Sequence, residues 1–511
     1  MPSYESAVEL KHASGATTLQ LRSPTSTVVR GALALLTAQP LTWGASLLVA
    51  VFVPQLLGPD GFGQLAVAQT FAFLAATVAS LGVPYYLPRR VATEPEHADL
   101  IASGAMIMLL AVAASVAGSL AIILPFAGVS IAEAPVLRLA LSGMIGITAQ
   151  NVIFAVLNGL GRHSSFAWIN AVAVVANAGL GVGVLLFIGG AVAYLAALVS
   201  INLIVAVIAW RAAGLRYRRE SINLRLWRGI ATGGLPFLGW ELARRIRSDI
   251  DVVLVGVLLH AEVAGWLAAA YKIIAIPVFI PTLITTPLLP ALSRTVGDVD
   301  VFRQTMRRSV VIVLVLTIPI SGMIFALAPV MPRMLHWSSS FAPAVPLMMI
   351  LAFQQPFVAL DMVLGTALIA LKHERRWMWA MMAAAILNPA LNLLIIPLAD
   401  GQFGNGAIGA ACVELGTELV MFTGALMLLP RSTIDRHTVT LSLRVVLAGV
   451  GMAGVAVALQ AVSLVAAVGC GGMTFAIGLV LLHVVRQSDL HSLKHEARRF
   501  VALRSSTAAL P

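Results

Sequence analysis

"LGPDGFGQL", residues 57–65, lies between two long apolar runs, and 202 residues later "LHAEVAGWL" (259–267) lies between two more. Each is a short turn of Gly, Pro, His or acidic residues followed by a renewed apolar helix pattern. The segments that close the following helices also correspond: "PYYLPRR" (84–90) against "PLLPALSR" (287–294), with Pro88 and Pro290 again 202 apart. Further along, "LGRHSSFAWINAVAVVAN" (160–177) overlies "LKHERRWMWAMMAAAILN" (371–388), placing Asn177 and Asn388 211 residues apart. Four matches in the same order mark an internal repeat. Two parallel repeats related by an axis along a membrane normal form a central cavity, and rocking one against the other alternates its access.

The membrane follows from composition. Of 511 residues, 59% are hydrophobic and only 11% charged, with a mean hydropathy of +0.94. Water-soluble domains carry far more polar surface. A membrane helix needs ~20 mostly apolar residues, and the sequence predicts spans at 31–57, 62–88, 100–125, 135–160, 164–188, 191–211, 229–259, 264–291, 309–331, 342–370, 376–398, 406–429, 442–464 and 470–486. The last break is placed at "GCGG" (469–472), because an apolar stretch that long must turn. Strand-like alternation is absent, which argues against a transmembrane barrel. The expected fold is therefore all-α and polytopic, with fourteen spans. A six-helix lobe over 30–212 is joined by a linker at 213–228 to a second lobe over 229–430, and two further spans occupy 431–486. Tails at 1–29 and 487–511 complete the chain, and the first apolar run is too long for a cleaved signal peptide.

The net charge of +11 does not point to nucleic acid. The basic residues fall on alternate loops: Arg89 and Arg90, Arg162, the run from Arg211 to Arg228, Arg294 to Arg308, Lys372 to Arg376, Arg431 to Arg444, and the C-terminal tail. The intervening loops hold one arginine, Arg333, and no lysine. Positive loops stay inside, so both termini are expected in the cytoplasm. Cys412 and Cys470 lie in apolar helices without metal-ligand spacing and read as buried free thiols.

Span seven departs from this greasy pattern. "ELARRIRSDIDVVLVG" (Glu241–Gly256) carries three arginines and three carboxylates within eleven residues, Glu241 to Asp251. Residues four apart share a helix face, so Glu241–Arg245, Arg245–Asp249 and Arg247–Asp251 can pair. Arg244 and Arg245 would lie about 22 Å along the helix from its outer end, near mid-membrane, where a charge costs about 2.5–3.5 kcal/mol. The charges therefore either neutralise one another or face a wet cavity. A guanidinium presents a fork of donors suited to phosphate oxygens, making Arg244, Arg245 and Arg247 candidate contacts for a diphosphate. Lys272, alone in span eight, is a further candidate, with pairing to Glu262 as its structural alternative. Asp251, Asp361, Glu414 and Glu418 are isolated acids in apolar helices and candidate carriers of H+ or Na+, or simply seam residues. Asn151, Asn177 and Asn388 are polar candidates for lining a cavity, although interhelical hydrogen bonding is the commoner use of asparagine in membranes. Prolines 277, 281, 287 and 290 interrupt span eight. The sequence holds no metal-ligand cluster and implies no cofactor beyond a coupling ion.

The fourteen-span layout, "LLGPDGFGQLAVAQTF", "SDIDVVLVG" and the pair "LNGLGR…N" and "LIALKHE…N" resemble polysaccharide-type, Wzx-like flippases of the multidrug/oligosaccharidyl-lipid/polysaccharide exporter superfamily. The resemblance covers roughly residues 25–490. It implies a MATE-like fold and movement of undecaprenyl-diphosphate-linked oligosaccharide units between leaflets of a bacterial inner membrane, for O-antigen, capsule or exopolysaccharide assembly. It also implies as partners the lipid-linked substrate, membrane lipid, and polymerase and chain-length or export proteins. Three rivals are weighed. A membrane polymerase or ligase needs a sizeable outer loop bearing reacting groups, and none is present. A drug/cation antiporter of the same superfamily needs an acid-rich cavity. A lipid II flippase of peptidoglycan synthesis is the third, with overlapping chemistry.

Overall fold

The computed structural model describes residues 24–124 and 135–484, with side chains from Gln39 onward apart from that of Phe279. Residues 1–23 of the expected N-terminal tail, the C-terminal tail, most of the 128–135 loop and the end of the predicted last span lie outside the described residues, whereas residues 24–29, expected in the tail, already belong to the first helix. Every regular element among the described residues is helical. In chain order these are α1 (Pro24–Ala79), α2 (Val83–Thr93), α3 (Ala98–Ile123), α4 (Pro135–Gly159), α5 (His163–Phe187), α6 (Ala191–Ala212) and α7 (Leu224–Leu258). There follow α8 (Ala261–Ala275), α9 (Phe279–Thr295), α10 (Val299–Leu327), the short α11 (Met331–Met334), α12 (Ala344–Ala352) and α13 (Gln354–Ala370). The last four are α14 (Glu374–Phe403), α15 (Ala407–Leu428), α16 (Arg436–Leu459) and α17 (Leu464–Leu481).

Twelve helical stretches are long and apolar enough to cross a membrane. The first, Gln39–Ala79, counts twice: Gly58 has φ +67°, a left-handed backbone that breaks the helix before Pro59. The charged α7 adds one more, giving fourteen crossings among the described residues. Large apolar side chains face outward, as lipid contact demands, with Phe187 91% exposed. Span eight is divided where expected: α8 ends before a 3₁₀ turn at Ile276–Val278 containing Pro277, and α9 resumes. Proline has no N–H to continue the ladder.

The final turn is not where the sequence placed it. The chain reverses at residues 460–463, and α17 runs straight through "GCGG". The Ser463 hydroxyl caps α17 by accepting the Ala466 N–H at 3.3 Å, a local signal that outweighs the glycines. On the same helix it is Gly478 that lets α16 come close, since a methyl there would lie 3.0 Å from Ala448 Cβ. Cys412 and Cys470 are exposed rather than buried, because an apolar residue on a membrane helix can face lipid as readily as core.

The repeat is visible in the packing. Gly63 and Gly265 abut one another, and a methyl at Gly63 would overlap the Ala261 carbonyl oxygen while one at Gly265 would overlap that of Pro59. Both pairs, 63/265 and 59/261, keep the 202-residue offset read from the sequence. The axis relating the two halves therefore passes between these glycines. At the other end of the bundle Gly82 and Gly234 make the corresponding close approach between α2 and α7. The largest apolar cluster, including Leu65, Leu141, Leu267 and Phe341, joins both halves. Smaller cores hold each half separately, around Leu87 and Ile153 in one and Leu292 and Val363 in the other.

Candidate functional site

Between the first half and span eight lies a cavity of about 990 Å³, walled by α1, α4, α5 and α6 and closed by Lys272, Ala275 and Ile276 of α8. Close helix approach shapes its polar side. Gly143 and Gly146 admit α6 so tightly that a methyl at Gly146 would sit 3.2 Å from Asn202 Cβ. Gln150, one turn further along α4, then donates to Asn202 at both the backbone oxygen (2.8 Å) and Oδ1 (3.0 Å). Asn177 on α5 donates to the same Oδ1 at 3.0 Å and to the Ala173 carbonyl at 2.9 Å. Asn151, Asn170 and Gln69 complete the carboxamide lining, with Trp43, Phe73, Phe154, Phe166 and Tyr194 as aromatic walls.

Lys272 is the single charged residue on this wall. The surface it exposes is cavity surface, so it is accessible to a small probe while enclosed by protein. It does not pair with Glu262 and has no hydrogen-bond or ion-pair partner among the described residues. An ammonium held this way in a membrane protein seeks an anion.

Of the four expected phosphate contacts, only Lys272 lines the cavity. The three arginines of α7 are held by carboxylates. Arg244 grips Glu241 at 2.6 and 2.9 Å, and Arg245 spans Glu241 at 3.2 Å and Asp249 at 3.1 Å. Both arginine side chains remain 34% exposed. Arg245 stands 6.0 Å from the centre of the Phe73 ring, whose other surroundings include the cavity. Glu241 also accepts the Tyr85 hydroxyl at 2.8 Å, a bond between the two halves.

The third arginine turns into the second half. Arg247 does not pair with Asp251, as its spacing suggested; it donates to Glu418 on α15 at 2.6 Å. Glu418, being 1% exposed, offers an acceptor from across the bundle where Asp251 is already engaged. Asp251, fully buried, accepts the Tyr271 hydroxyl at 2.8 Å and Asn392 at 2.7 Å. Glu414 accepts Gln354 at 2.6 Å and Asn388 at 2.9 Å. Asn388 thus lies in the buried network and not on a cavity wall, and Asn392 donates to it at 2.9 Å. Asp361, 5% exposed, finds no donor for either oxygen among the described residues. Four buried carboxyl groups therefore lie in the second half beside one guanidinium, which bonds Glu418 alone. No group of three or more His, Cys, Asp or Glu among the described residues is placed to hold a metal.

Sequence reasoning missed Tyr85, Tyr271, Gln354, Gln150 and Asn202. A lone amide in an apolar helix was a usable signal for the last two, whereas a tyrosine carries no such mark.

Comparison with known proteins agrees with this architecture. The profile of the polysaccharide biosynthesis protein family matches residues 28–296, and that of the MatE family matches 244–394. Among solved structures, the lipid II flippase MurJ in an inward closed conformation superposes with a TM-score of 0.73 at 13% identity, covering 89% of this chain and 99% of that one. A multidrug resistance MATE family transporter of the MOP superfamily, in an inward-facing conformation, gives 0.60 at 15% identity over 76% and 93%. A MOP superfamily transporter from Pyrococcus furiosus gives 0.51 at 15% over 79% and 94%. At these identities the structures speak for the fold. A search of curated protein sequences returned no match.

Proposed function

The chain belongs to the polysaccharide biosynthesis protein family, within the multidrug/oligosaccharidyl-lipid/polysaccharide superfamily, and from there we propose that it moves polyprenyl-diphosphate-linked oligosaccharide units across a bacterial inner membrane for surface polysaccharide assembly. Both termini stay in the cytoplasm, as the loop charges indicate. The observation that carries the proposal is Lys272, an unpartnered ammonium on an otherwise uncharged cavity wall between the halves. The diphosphate docks against it, and the polyprenyl tail remains in lipid. Arg244 and Arg245, one-third exposed beside Phe73, exchange Glu241 for phosphate oxygens as the headgroup passes. The halves touch at Gly63–Gly265 and at Gly82–Gly234, so each transfer opens one end while the other stays shut. No covalent step is involved.

The buried acids of the second half couple this cycle to an ion. Four ionised carboxylates around one arginine are too costly inside a membrane protein. Asp361, whose two oxygens find no donor among the described residues, is the acid that takes up the coupling ion beside the Arg247–Glu418 pair. Asp251 and Glu414, each held by two neutral donors, set the field around that pair.

An antiporter for cationic drugs fits less well, because no acid lines the cavity. Gene deletion separates the remaining readings. Loss of surface polysaccharide with normal growth and drug tolerance supports the proposal, lethality would assign lipid II, and drug sensitivity alone would assign the antiporter. In the complemented strain, Lys272→Gln at normal protein level should abolish surface polymer.

A further inference from the structure

The cavity contains more hydrogen-bonding capacity than the protein uses. Gln69, Asn151 and Asn170 make no hydrogen bond to any described residue. Asn202 Oδ1 already accepts twice, which leaves its own N–H groups free to donate. Asn151 is exposed and Gln69 and Asn170 are half-buried on the cavity wall, so their donors and acceptors are available to what enters it. A carboxamide offers both donor and acceptor in one plane, which suits neighbouring hydroxyls of a sugar ring. Trp43 and Phe73, 40% and 39% exposed on the same wall, supply flat apolar faces for the ring's C–H side. The volume of about 990 Å³ holds a headgroup, being at the upper end of ordinary ligand sites, about 300–1,000 Å³.

Charge narrows the class of sugar. With one ammonium on the wall, and with Arg244 and Arg245 already holding Glu241 and Asp249, the cavity has no cation to spare beyond the diphosphate. A carboxylate on the adjoining sugar would be buried without a cation, at high cost. We propose that the carboxamide wall formed by Gln69, Asn151, Asn170, Asn177 and Asn202 is a glycan subsite that selects a neutral sugar next to the diphosphate and rejects an acidic one. This rests on the lipid-linked reading above. It makes recognition the work of the first half alone, because the equivalent Asn388 is fully buried.

The test is binding of three lipids to the purified full-length protein in nanodiscs: undecaprenyl diphosphate, its glucosyl ester and its glucuronosyl ester. The wild type should bind the glucosyl lipid about tenfold more tightly than the bare lipid, and the glucuronosyl lipid no more tightly than the bare one. In Asn151→Leu/Asn170→Leu the glucosyl-to-bare ratio should fall to about one. Each single variant, should the pair fold poorly, is expected to lose about threefold of that ratio. A ratio that survives the Asn variants, or a wild type that takes both sugars alike, overturns the subsite. If Lys272→Gln meanwhile weakens all three lipids, the flippase reading stands without it. If Lys272→Gln leaves the bare lipid's binding intact, the anchor itself is lost and the subsite with it.

Discussion

Asn177 and Asn388 occupy matching places in the repeat, yet they do opposite things. Asn177 sits on a cavity wall beside other amides, with one oxygen unsatisfied. Asn388 is fully enclosed and locks Glu414. A similar contrast between open and filled positions divides two cations within the second half. Lys272 faces a void without a partner, and Arg247 is clamped to Glu418 at 2.6 Å. One duplicated scaffold has kept its polar positions while the first half left them open and the second half filled them with carboxylates. Openness leaves room for a ligand, and saturation with opposing charge fixes helices against one another.

The comparison needs the two halves to meet at their axis, and the largest effect is expected there. Gly265→Leu must displace the Pro59 carbonyl, so the variant should yield no monodisperse protein on size exclusion. Gly118→Leu, with open space around it, should behave as wild type. A well-folded Gly265→Leu protein would show that the halves do not touch here. The next contrast is between the cations. Arg247→Ala strands Glu418 and should cost about 3–5 kcal/mol of stability, read as a fall in the thermal midpoint in detergent. Adding Glu418→Ala should recover part of it. Lys272→Ala should not lower the midpoint, because removing an unpaired charge relieves about 2.5–3.5 kcal/mol of insertion cost. Equal losses for both would erase the distinction between the open cation and the clamped one. For the asparagines, Asn388→Ala should destabilise by about 1–3 kcal/mol by leaving a buried acid short of a donor. Asn177→Ala should lose about half as much, since water in the cavity can replace it.

The architecture was legible because it is written in apolar runs and in the 202-residue repeat, features that survive without knowing any contact. Fourteen spans, the break at Pro277 and the kink at Gly58 all follow from that pattern. The last turn was misplaced because glycines in a membrane helix serve packing as often as turning, and Ser463 was the better signal. Side-chain partners were less legible. Helical spacing gave Glu241–Arg245 and Arg245–Asp249 correctly, since both lie on one helix. It failed for Arg247, whose partner Glu418 is 171 residues away. A one-helix argument cannot see an acceptor contributed by another span. Lys272 could be singled out by its isolation, but that it would line the cavity when the arginines do not depended on how α7 rotates against α1.

The smallest expected effect lies outside the membrane and sharpens the contrast from the other side. Asp435 caps α16, accepting from the Thr438 hydroxyl at 2.6 Å and its N–H at 2.8 Å, with Arg307 at 2.9 Å. Those two hydrogen bonds, the side-chain one first, hold its carboxyl below the ordinary aspartate range. The folded state thus prefers the charged form. The resulting stability is fully present above the ordinary value of about 3.9 and is lost as pH falls through the lower folded value. Asparagine caps a helix nearly as well as aspartate but does not titrate. Asp435→Asn should therefore lower the thermal midpoint slightly at pH 7, and the difference should shrink toward zero at pH 3. A gap that persists in acid would mean that the carboxylate's charge contributes nothing at this exposed site, unlike the acids enclosed in the second half.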